Sequence, residues 1–389
     1  MNTSRLFFLD WLRILAFGLL VPYHVGMYYV SWDWHVKSPQ AGHTIEPLMF
    51  LSAPWRLSLL FFIGGVACQA LLKRDGSRGF VKRRSAQLLW PLLFGMLVVV
   101  PPQAYFEVVT KVAYAGSYLD FMRLYVAGYG GFCRGGDCLL LPTWNHLWFL
   151  PYLWLYSLLG HACVRSAPQA LADAVQWLDR RSPAQWLFAF ALPFAAARLL
   201  IAWFPSKHNL TWDWANHAQY LLVFVVGLLL GRSAVAWQRL QQLRWPALVL
   251  ALLSTSALIA YFQQADGWVP PDALRWLQRG LWGALQWWAI VAACGFARQH
   301  LDVDHPWRRA LVPAVFCVYI LHQTVIVLLT QWLRPWQLWA PAEGLLLIAM
   351  TFLICAAVYL LVRRVPLLNQ ALGVNPASNS TAKRPLFAL

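Results

Sequence analysis

The first apolar stretch of the chain, residues 6–27, reads LFFLDWLRILAFGLLVPYHVGM. A run of this length and composition is typical of a helix that crosses a membrane. It nevertheless contains Arg13 and His24, and ionisable side chains at membrane depth are costly unless they face protein or a water-filled cavity. The interval between them turns a helix by about 1100°, which is close to three full turns. Both side chains therefore lie on one face of the helix, about 16 Å apart along the axis. The stretch therefore predicts a membrane helix with one buried polar face.

The rest of the chain has the same character. Of its 389 residues, 60% are hydrophobic and only 12% are charged, whereas soluble domains carry about 25% charged residues. We therefore predict an all-α, polytopic transmembrane helix bundle, with residues 1–375 as a single domain and 376–389 as a mobile cytoplasmic tail. Ten spans are expected, at 6–27, 55–72, 86–106, 146–164, 185–204, 217–231, 245–263, 280–297, 310–332 and 343–362.

The net charge of +16 is explained by topology. Most Lys and Arg residues fall in segments that the ten-span arrangement places on one side of the bilayer. The positive-inside rule then puts both termini in the cytoplasm. The lipid bilayer is the expected partner of such a chain, and nucleic acid is not. The sequence does not indicate an oligomeric state.

Two cysteines, Cys133 and Cys138, lie in the longest outer loop as CRGGDC. They form either a small disulfide loop, if the outside is oxidising, or two free thiols. A metal site would need more ligands than this loop supplies, so we expect no metal.

Several polar groups inside apolar segments are candidates for chemistry. His24 follows Pro22, which removes a backbone donor and can kink the helix. His24 acts either as a general base or as a hydrogen-bond partner of a neighbouring helix. Asp10 lies three residues before Arg13 and either neutralises it or leaves it as an anion clamp. His322 follows Tyr319 in a second intramembrane polar cluster.

A basic run, KRDGSRGFVKRR at 73–84, lies in the predicted inner loop after the second span. It is either a topology signal or a binding surface for a phosphate-bearing ligand. Arg56 and Arg198 fall within or beside predicted spans and either reach the interface or face a cavity.

A short Trp-Asp-Trp motif occurs twice on the predicted outer side, as SWDWH at 31–35 and as TWDW at 211–214. Tryptophan is enriched at membrane interfaces, so both copies fit an aromatic belt. The alternative is a carbohydrate platform, in which Trp32 and Trp212 cover sugar faces and Asp33 and Asp213 accept hydroxyl hydrogen bonds.

Five motifs together resemble the acyltransferase-3 family of integral membrane O-acyltransferases. They are FLDWLR at 8–13 followed by His24, WRLSLLFFIGG at 55–65, FVKRR at 80–84 before LLWPL at 88–92, LWFL at 147–150, and YILH at 319–322. The resemblance extends over most of the chain. Within the family, the pattern is most similar to the membrane proteins that decorate periplasmic glucans with succinyl groups.

The chain departs from the family pattern at two places. Ala86 and Gln87 stand where an Arg-x-x-Arg motif would have its second arginine, so donor binding would depend on the cluster of Lys82, Arg83 and Arg84. The residues after Trp148 are FLPY, so the glutamate that some branches have there is absent.

The resemblance implies transfer of a succinyl or acetyl group from cytoplasmic acyl-CoA to a hydroxyl of an extracytoplasmic glycan or sugar, in the bacterial inner membrane. No cofactor would be permanently bound, because acyl-CoA is a substrate. Catalytic roles are expected for His24, Arg13, Asp10 and His322, and binding of CoA for Arg13, Lys82, Arg83 and Arg84. Acceptor binding is expected for Trp32, Asp33, Arg56, Trp148, Trp212, Asp213 and Tyr319. The rival interpretations are a transporter of a lipid-linked sugar or small anion, and a structural scaffold.

Overall fold

The computed structural model of the chain describes residues 6–265 and 267–374, leaving aside the side chains of 75–78 and 367. The predicted tail at 376–389 lies outside the described residues. The helices are α1 Phe7–Gly18, α2 Leu20–Tyr29, α3 Glu46–Phe50, α4 Arg56–Phe94, α5 Pro101–Lys111, α6 Tyr118–Val126, α7 Phe149–Ser166, α8 Pro168–Asp179, α9 Ala191–Leu199, α10 Trp214–Leu230, α11 Ala234–Phe262, α12 Asp272–His300, α13 Pro306–Leu311, α14 Val315–Leu333, α15 Ala340–Val362 and α16 Pro366–Ala371. One small hairpin pairs β1, Cys133–Arg134, with β2, Asp137–Cys138. A disulfide between Cys133 and Cys138 closes it.

The all-α membrane architecture predicted from the sequence is confirmed. Within the described residues, eight helices are long and apolar enough to cross a membrane, and a bent pair adds a ninth if it is one span. That pair, Gly79–Val99 and Pro101–Lys111, bends by 44°. The predicted sixth span corresponds to α10, which is a shorter apolar helix. The chain is therefore a multi-pass membrane protein with about eight candidate spans. The full set of ten spans and the cytoplasmic termini stay predictions.

The first span is interrupted where the sequence predicts a kink. Pro22 has no N–H to donate to the carbonyl of Gly18, four residues earlier. The helix is accordingly broken at Leu19, between α1 and α2, although Phe7–Tyr29 still forms one candidate span. The polar side chains of this span thus lie on two consecutive helical pieces.

The second and third predicted spans are joined differently from the expectation. The inner connection at 73–84, predicted as a loop, is helical and lies within α4. Cys68 Sγ and Arg84 Nε nevertheless both contact Ser157 on α7, at 3.9 Å and 3.0 Å. A straight helix would separate these two residues by about 24 Å, so the chain reverses between them. The two arms of α4 therefore pack side by side, and the loop prediction is wrong because helical hydrogen bonding persists through the connection.

The packing of α4 against α10 depends on glycines. A Cβ atom at Gly65 would stand 2.0 Å from the carbonyl oxygen of Phe224, and one at Gly227 would stand 2.1 Å from that of Phe62. Close approach of backbones at small residues is a common way for membrane helices to associate, since lipid offers no hydrophobic driving force between them. This contact fixes the first arm of α4 in the centre of the bundle.

We expect Gly65→Ala to destabilise the protein by about 1–3 kcal/mol or more, because the added methyl must push two backbones apart. Gly18→Ala is the matched control, since no atom lies within 4 Å of a Cβ built there. Thermal unfolding of the purified protein in detergent should show a lower midpoint for Gly65→Ala and an unchanged or higher one for Gly18→Ala. Equal midpoints for the two variants would contradict the proposed contact.

Candidate functional site

A cavity of about 430 Å³ lies at the end of the bundle where α2 ends. Its wall comes from α2 and the segment after it, the beginning of α4, the end of α5, residues 143–149 and 207–208, and α14. The volume is within the range of pockets that hold small ligands. Asp33, whose side chain is 82% exposed, lines the cavity, which therefore reaches the protein surface.

Three imidazoles meet in this cavity. His24 Nδ1 lies 3.0 Å from His322 Nε2, and the ring of His146 has its centroid 5.1 Å from that of His322. His322 Nδ1 lies 2.7 Å from the carbonyl oxygen of Tyr319, and His24 Nδ1 lies 3.0 Å from that of Leu20. The sequence predicted both His24 and His322 as site residues, and the fold brings them into contact.

These contacts fix the protons on the two rings. A backbone carbonyl only accepts hydrogen bonds, so Nδ1 of His322 carries a proton and its Nε2 is an acceptor in the neutral ring. His24 Nδ1 then donates, shared between Leu20 and His322. In neutral His24 the lone pair is therefore on Nε2, which makes no hydrogen bond to any residue that the structure describes. The ring is only partly buried and lines the cavity, as a general base requires.

His146 is held by a different set of contacts. Its Nε2–H donates to the carbonyl of Ile320 at 3.0 Å, and Gln103 Nε2 is 3.5 Å from its Nδ1. The hydroxyl of Tyr319 donates to the backbone carbonyl of His146 at 2.8 Å. Both ring nitrogens of His146 are thus engaged. Tyr319, predicted as an acceptor-binding residue, lines the cavity, and its hydroxyl links α14 to the turn that precedes α7.

Arg56 supplies a buried positive charge beside the imidazoles. It lines the cavity, is 3% exposed, and stacks its guanidinium over the ring of Tyr23 at 3.5 Å. Its Nη1 donates to Ser52 Oγ at 3.2 Å. None of the ion pairs found between described residues includes Arg56. Arg198 lies over Trp282 instead, 4.9 Å from the ring, and does not line this cavity.

Trp148, another predicted acceptor residue, forms an aromatic wall with His208. The two rings stack with centroids 4.1 Å apart, and both line the cavity. The backbone of His208 has φ of +50°, an uncommon conformation that hydrogen bonds maintain. Its N–H donates to Asp213 Oδ2 at 3.1 Å, and its carbonyl accepts from Trp144 Nε1 at 2.7 Å.

Asp213 has a structural role that differs from the expected one. Its fully buried carboxylate also accepts from Tyr152 Oη at 2.5 Å, from Lys207 N at 3.0 Å and from Asn216 Nδ2 at 2.8 Å. Burial alone would raise the pKa of Asp213, but these hydrogen bonds hold it below its usual value. Asp213 therefore stabilises the loop, and it does not line the cavity in which an acceptor sugar would bind.

The two Trp-Asp-Trp copies thus have different surroundings. In the first copy, Asp33 lines the cavity and accepts from Lys111 Nζ at 2.9 Å, while Trp32 packs on Phe50 with ring centroids 5.4 Å apart. In the second copy, Trp212 is 69% exposed and does not line the cavity. Only the first copy contributes to this site.

The remaining predicted residues lie away from the cavity. Asp10 is buried and accepts from Arg308 Nη1 at 2.5 Å, and Arg13 Nη2 donates to the carbonyl of Val312 at 3.4 Å. Both contacts attach the beginning of α1 to the segment before α14. Neither Asp10 nor Arg13 lines the cavity that contains His24. The helix face that Arg13 and His24 share in the sequence therefore does not place both of them on the wall of this cavity.

The predicted donor cluster is also divided between two environments. Lys82 and Arg83 are exposed, whereas Arg84 is 1% exposed and donates through Nε to Ser157 Oγ. Consecutive residues of a helix point about 100° apart, which places Arg84 inside the bundle. Its Nη1 and Nη2 have no hydrogen-bond partner in the part of the chain that the structure describes.

Sequence reasoning missed a polar stripe on α5. Gln103, Glu107 and Lys111 follow one another at intervals of four residues and contact the cavity wall. Glu107 pairs with His35, which the sequence placed only within the first tryptophan copy. The i, i+4, i+8 spacing was the available signal, but the predicted span ended at Phe106.

Comparison with known proteins identifies the family of the chain. A family model described as an acyltransferase domain, Acyl_transf_3, matches residues 6–360. Neither the curated proteins nor the solved structures contain a match to the chain. The family match spans nearly all of the described helices, including those that carry His24 and His322. The protein therefore belongs to the acyltransferase-3 family and is a multi-pass membrane acyltransferase.

Proposed function

We propose that the protein is an O-acyltransferase of the bacterial inner membrane that moves a succinyl or acetyl group from cytoplasmic acyl-CoA to a hydroxyl of an extracytoplasmic glycan, such as a periplasmic glucan. The observation that carries this proposal is the unpaired Nε2 of His24 in a cavity that reaches the surface. Its geometry suits a base that takes a proton from an acceptor entering through that opening.

The reaction can be written with His24 as the base. The acceptor hydroxyl gives its proton to His24 Nε2 while its oxygen attacks the thioester carbonyl. The resulting imidazolium keeps its Nδ1–H bond to His322 Nε2 and the Leu20 carbonyl, which stabilise the added charge. Collapse of the tetrahedral intermediate breaks the carbon–sulfur bond. The CoA thiolate leaves, and the proton on His24 neutralises it to the thiol.

Arg56 is suited to the negative charge in this reaction. Its guanidinium lines the same cavity as His24 and has no acidic partner in the ion pairs between described residues. It can stabilise the oxyanion of the intermediate, or it can bind the free carboxylate of a succinyl group. The first role serves any acyl group, and the second selects a dicarboxylic one.

The donor is expected to approach from the other end of the bundle. Lys82 and Arg83 are exposed there and can meet the phosphates of CoA. Arg84 is a buried cation whose two Nη atoms have no hydrogen-bond partner among the described residues, as expected of a group that an anionic ligand completes. Arg13 lies at the beginning of the first span, toward the same side in the predicted topology. These residues would hold CoA while its acyl arm enters the bundle.

We expect His24→Ala to reduce acyl transfer by about 10²–10⁴-fold, because a positioned base is lost. The measurement is release of CoA from acyl-CoA by the purified enzyme with an acceptor glycan. His43→Ala is the matched control, since His43 lies in the segment that follows α2, is exposed and does not line the cavity. Near-normal transfer by a well-expressed His24→Ala enzyme would refute the role of His24 as the base.

His322 should matter through its acceptor atom. We expect His322→Leu to lower kcat by about 10-fold or more, because the hydrogen bond that supports protonated His24 is lost. His322→Gln retains a side-chain acceptor and should lose less. Comparing kcat of the two variants at saturating substrates checks this order. If Gln and Leu were equally impaired, the hydrogen bond would not explain the effect.

The two roles of Arg56 predict different donor profiles. Removing a charged hydrogen bond costs about 1.5–3 kcal/mol, so Arg56→Gln should reduce activity by about 10–100-fold. An oxyanion role predicts equal losses with acetyl-CoA and succinyl-CoA, and a carboxylate role predicts loss mainly with succinyl-CoA. Arg198→Gln is the matched control, being another arginine stacked on an aromatic ring within a span. Equal activity of Arg56→Gln and the wild type with both donors would exclude Arg56 from the site.

A further inference from the structure

The proposed reaction does not use the polar stripe on α5. Gln103, Glu107 and Lys111 are separated by four residues each, or about 400° of helix rotation, and therefore lie on nearly one face. Glu107 and Lys111 line the cavity directly. The stripe runs along the outer part of the cavity wall, between the surface and the imidazoles.

Glu107 connects the groups at the rim of the cavity. Its carboxylate accepts from His35 Nδ1 and, at 3.0 Å, from Lys111 Nζ. Lys111 also donates to Asp33 Oδ2 at 2.9 Å. The side chains of His35, Glu107 and Lys111 are only 14%, 16% and 17% exposed. The three are thus held in fixed positions, and the positions of His35 and Lys111 depend on Glu107.

The stripe continues inward to the imidazoles. Gln323 Nε2 donates to His35 Nε2 at 2.6 Å and lies 3.1 Å from Gln103 Oε1. Gln103 Nε2 in turn reaches His146 Nδ1, whose ring borders His322. A continuous row of hydrogen-bonding groups therefore leads from the exposed rim to the proposed catalytic histidines.

The donors and acceptors along this row that have no partner among the described residues suit the hydroxyl groups of a ligand. Asp33 Oδ1 and Gln323 Oε1 have no hydrogen-bond partner among the described residues, and Lys111 has a third ammonium proton. A hydroxyl both donates and accepts, so a molecule with several hydroxyls can engage acceptors and a donor together. Trp34 and Trp144 line the same cavity and offer apolar surface to a sugar ring.

The charge on this wall points to an uncharged ligand. Lys207 and Arg56 also line the cavity, but outside the α5 stripe. Along the stripe, Glu107 is met by His35 and Lys111, and Lys111 is shared with Asp33, so the stripe itself has no spare cation for an acidic sugar. The exposed carboxylate of Asp33 at the rim would repel one.

We propose that Glu107 is the positioning residue of an acceptor subsite that binds the hydroxyls of a neutral oligosaccharide through His35, Lys111, Asp33 and Gln323. The inference rests on the proposed function, in which a sugar hydroxyl receives the acyl group. It identifies where the acceptor is bound, separately from where it reacts.

Binding can be measured without catalysis. Full-length wild type and Glu107→Gln, purified in lipid nanodiscs, are titrated calorimetrically with maltotriose, cellotriose and laminaritriose. We expect wild type to bind at least one trisaccharide and Glu107→Gln to bind it at least about tenfold more weakly. Glu343→Gln is the matched control, because Glu343 is also buried and accepts from Tyr29 Oη at 2.7 Å but does not line the cavity. It should bind like wild type.

Kinetics with the bound trisaccharide as acceptor provide the second readout. Glu107→Gln should raise the KM for the acceptor at least about tenfold and leave the KM for acyl-CoA unchanged. If Glu107→Gln does not fold, Lys111→Met carries the test, since it leaves the pair of Glu107 and His35 in place. An unchanged acceptor KM and unchanged affinity in the folded variant would overturn the inference.

The failure of the inference differs from the failure of the proposed function. If wild type releases CoA with an acceptor but binds none of the neutral trisaccharides, or binds only an acidic one such as trigalacturonate, the neutral acceptor subsite is wrong and acyl transfer stands. If wild type binds a trisaccharide in a Glu107-dependent way but releases no CoA from any acyl-CoA, the subsite stands and the proposed reaction fails.

Discussion

The hydrogen bond between His24 Nδ1 and His322 Nε2, 3.0 Å long, is the interaction on which the site depends. Both rings lie on helices that pack inside an apolar bundle, where an unpaired polar group is expensive. His322 is oriented by the Tyr319 carbonyl, and it orients His24 in turn. The result is that Nε2 of His24, which has no hydrogen-bond partner among the described residues, remains available to a ligand in the cavity that the ring lines. Without this contact, only the Leu20 carbonyl would hold the Nδ1 of His24.

The same constraint explains the other buried charges. Asp10 is paired with Arg308, and Glu107 with His35 and Lys111. The pairs Asp10–Arg308 and Glu107–His35 join separate segments of the chain, so each fixes a position of the bundle as well as a charge. A buried ion pair is weak evidence for stability, but removing one partner is costly. These pairs therefore restrict how the helices that carry the site can move.

Two buried arginines are exceptions to this pairing. Arg56 and Arg84 are 3% and 1% exposed, and neither occurs in the ion pairs between described residues. Arg56 borders the cavity of His24, whereas Arg84 lies in the second arm of α4 beside Ser157. Cations without acidic partners are expected where an anionic ligand or transition state supplies the missing charge. Their separation fits a donor and an acceptor that enter from different places.

The sequence by itself determined the class of fold and part of the site. Long apolar runs are a local property that decides membrane insertion. Because ionisable side chains such as Arg13 and His24 are costly inside such a run, they indicated that the first helix has a buried polar face. The partners were decided only by the tertiary structure. Asp10 and Arg308 are 298 positions apart, as are His24 and His322. Asp213, which the sequence suggested as a residue that binds the acceptor sugar, instead holds its loop through hydrogen bonds. The reversal inside α4 likewise followed from contacts with α7. The physical reason is that local periodicity specifies which face of a helix is polar, whereas helix packing specifies which other polar face it meets.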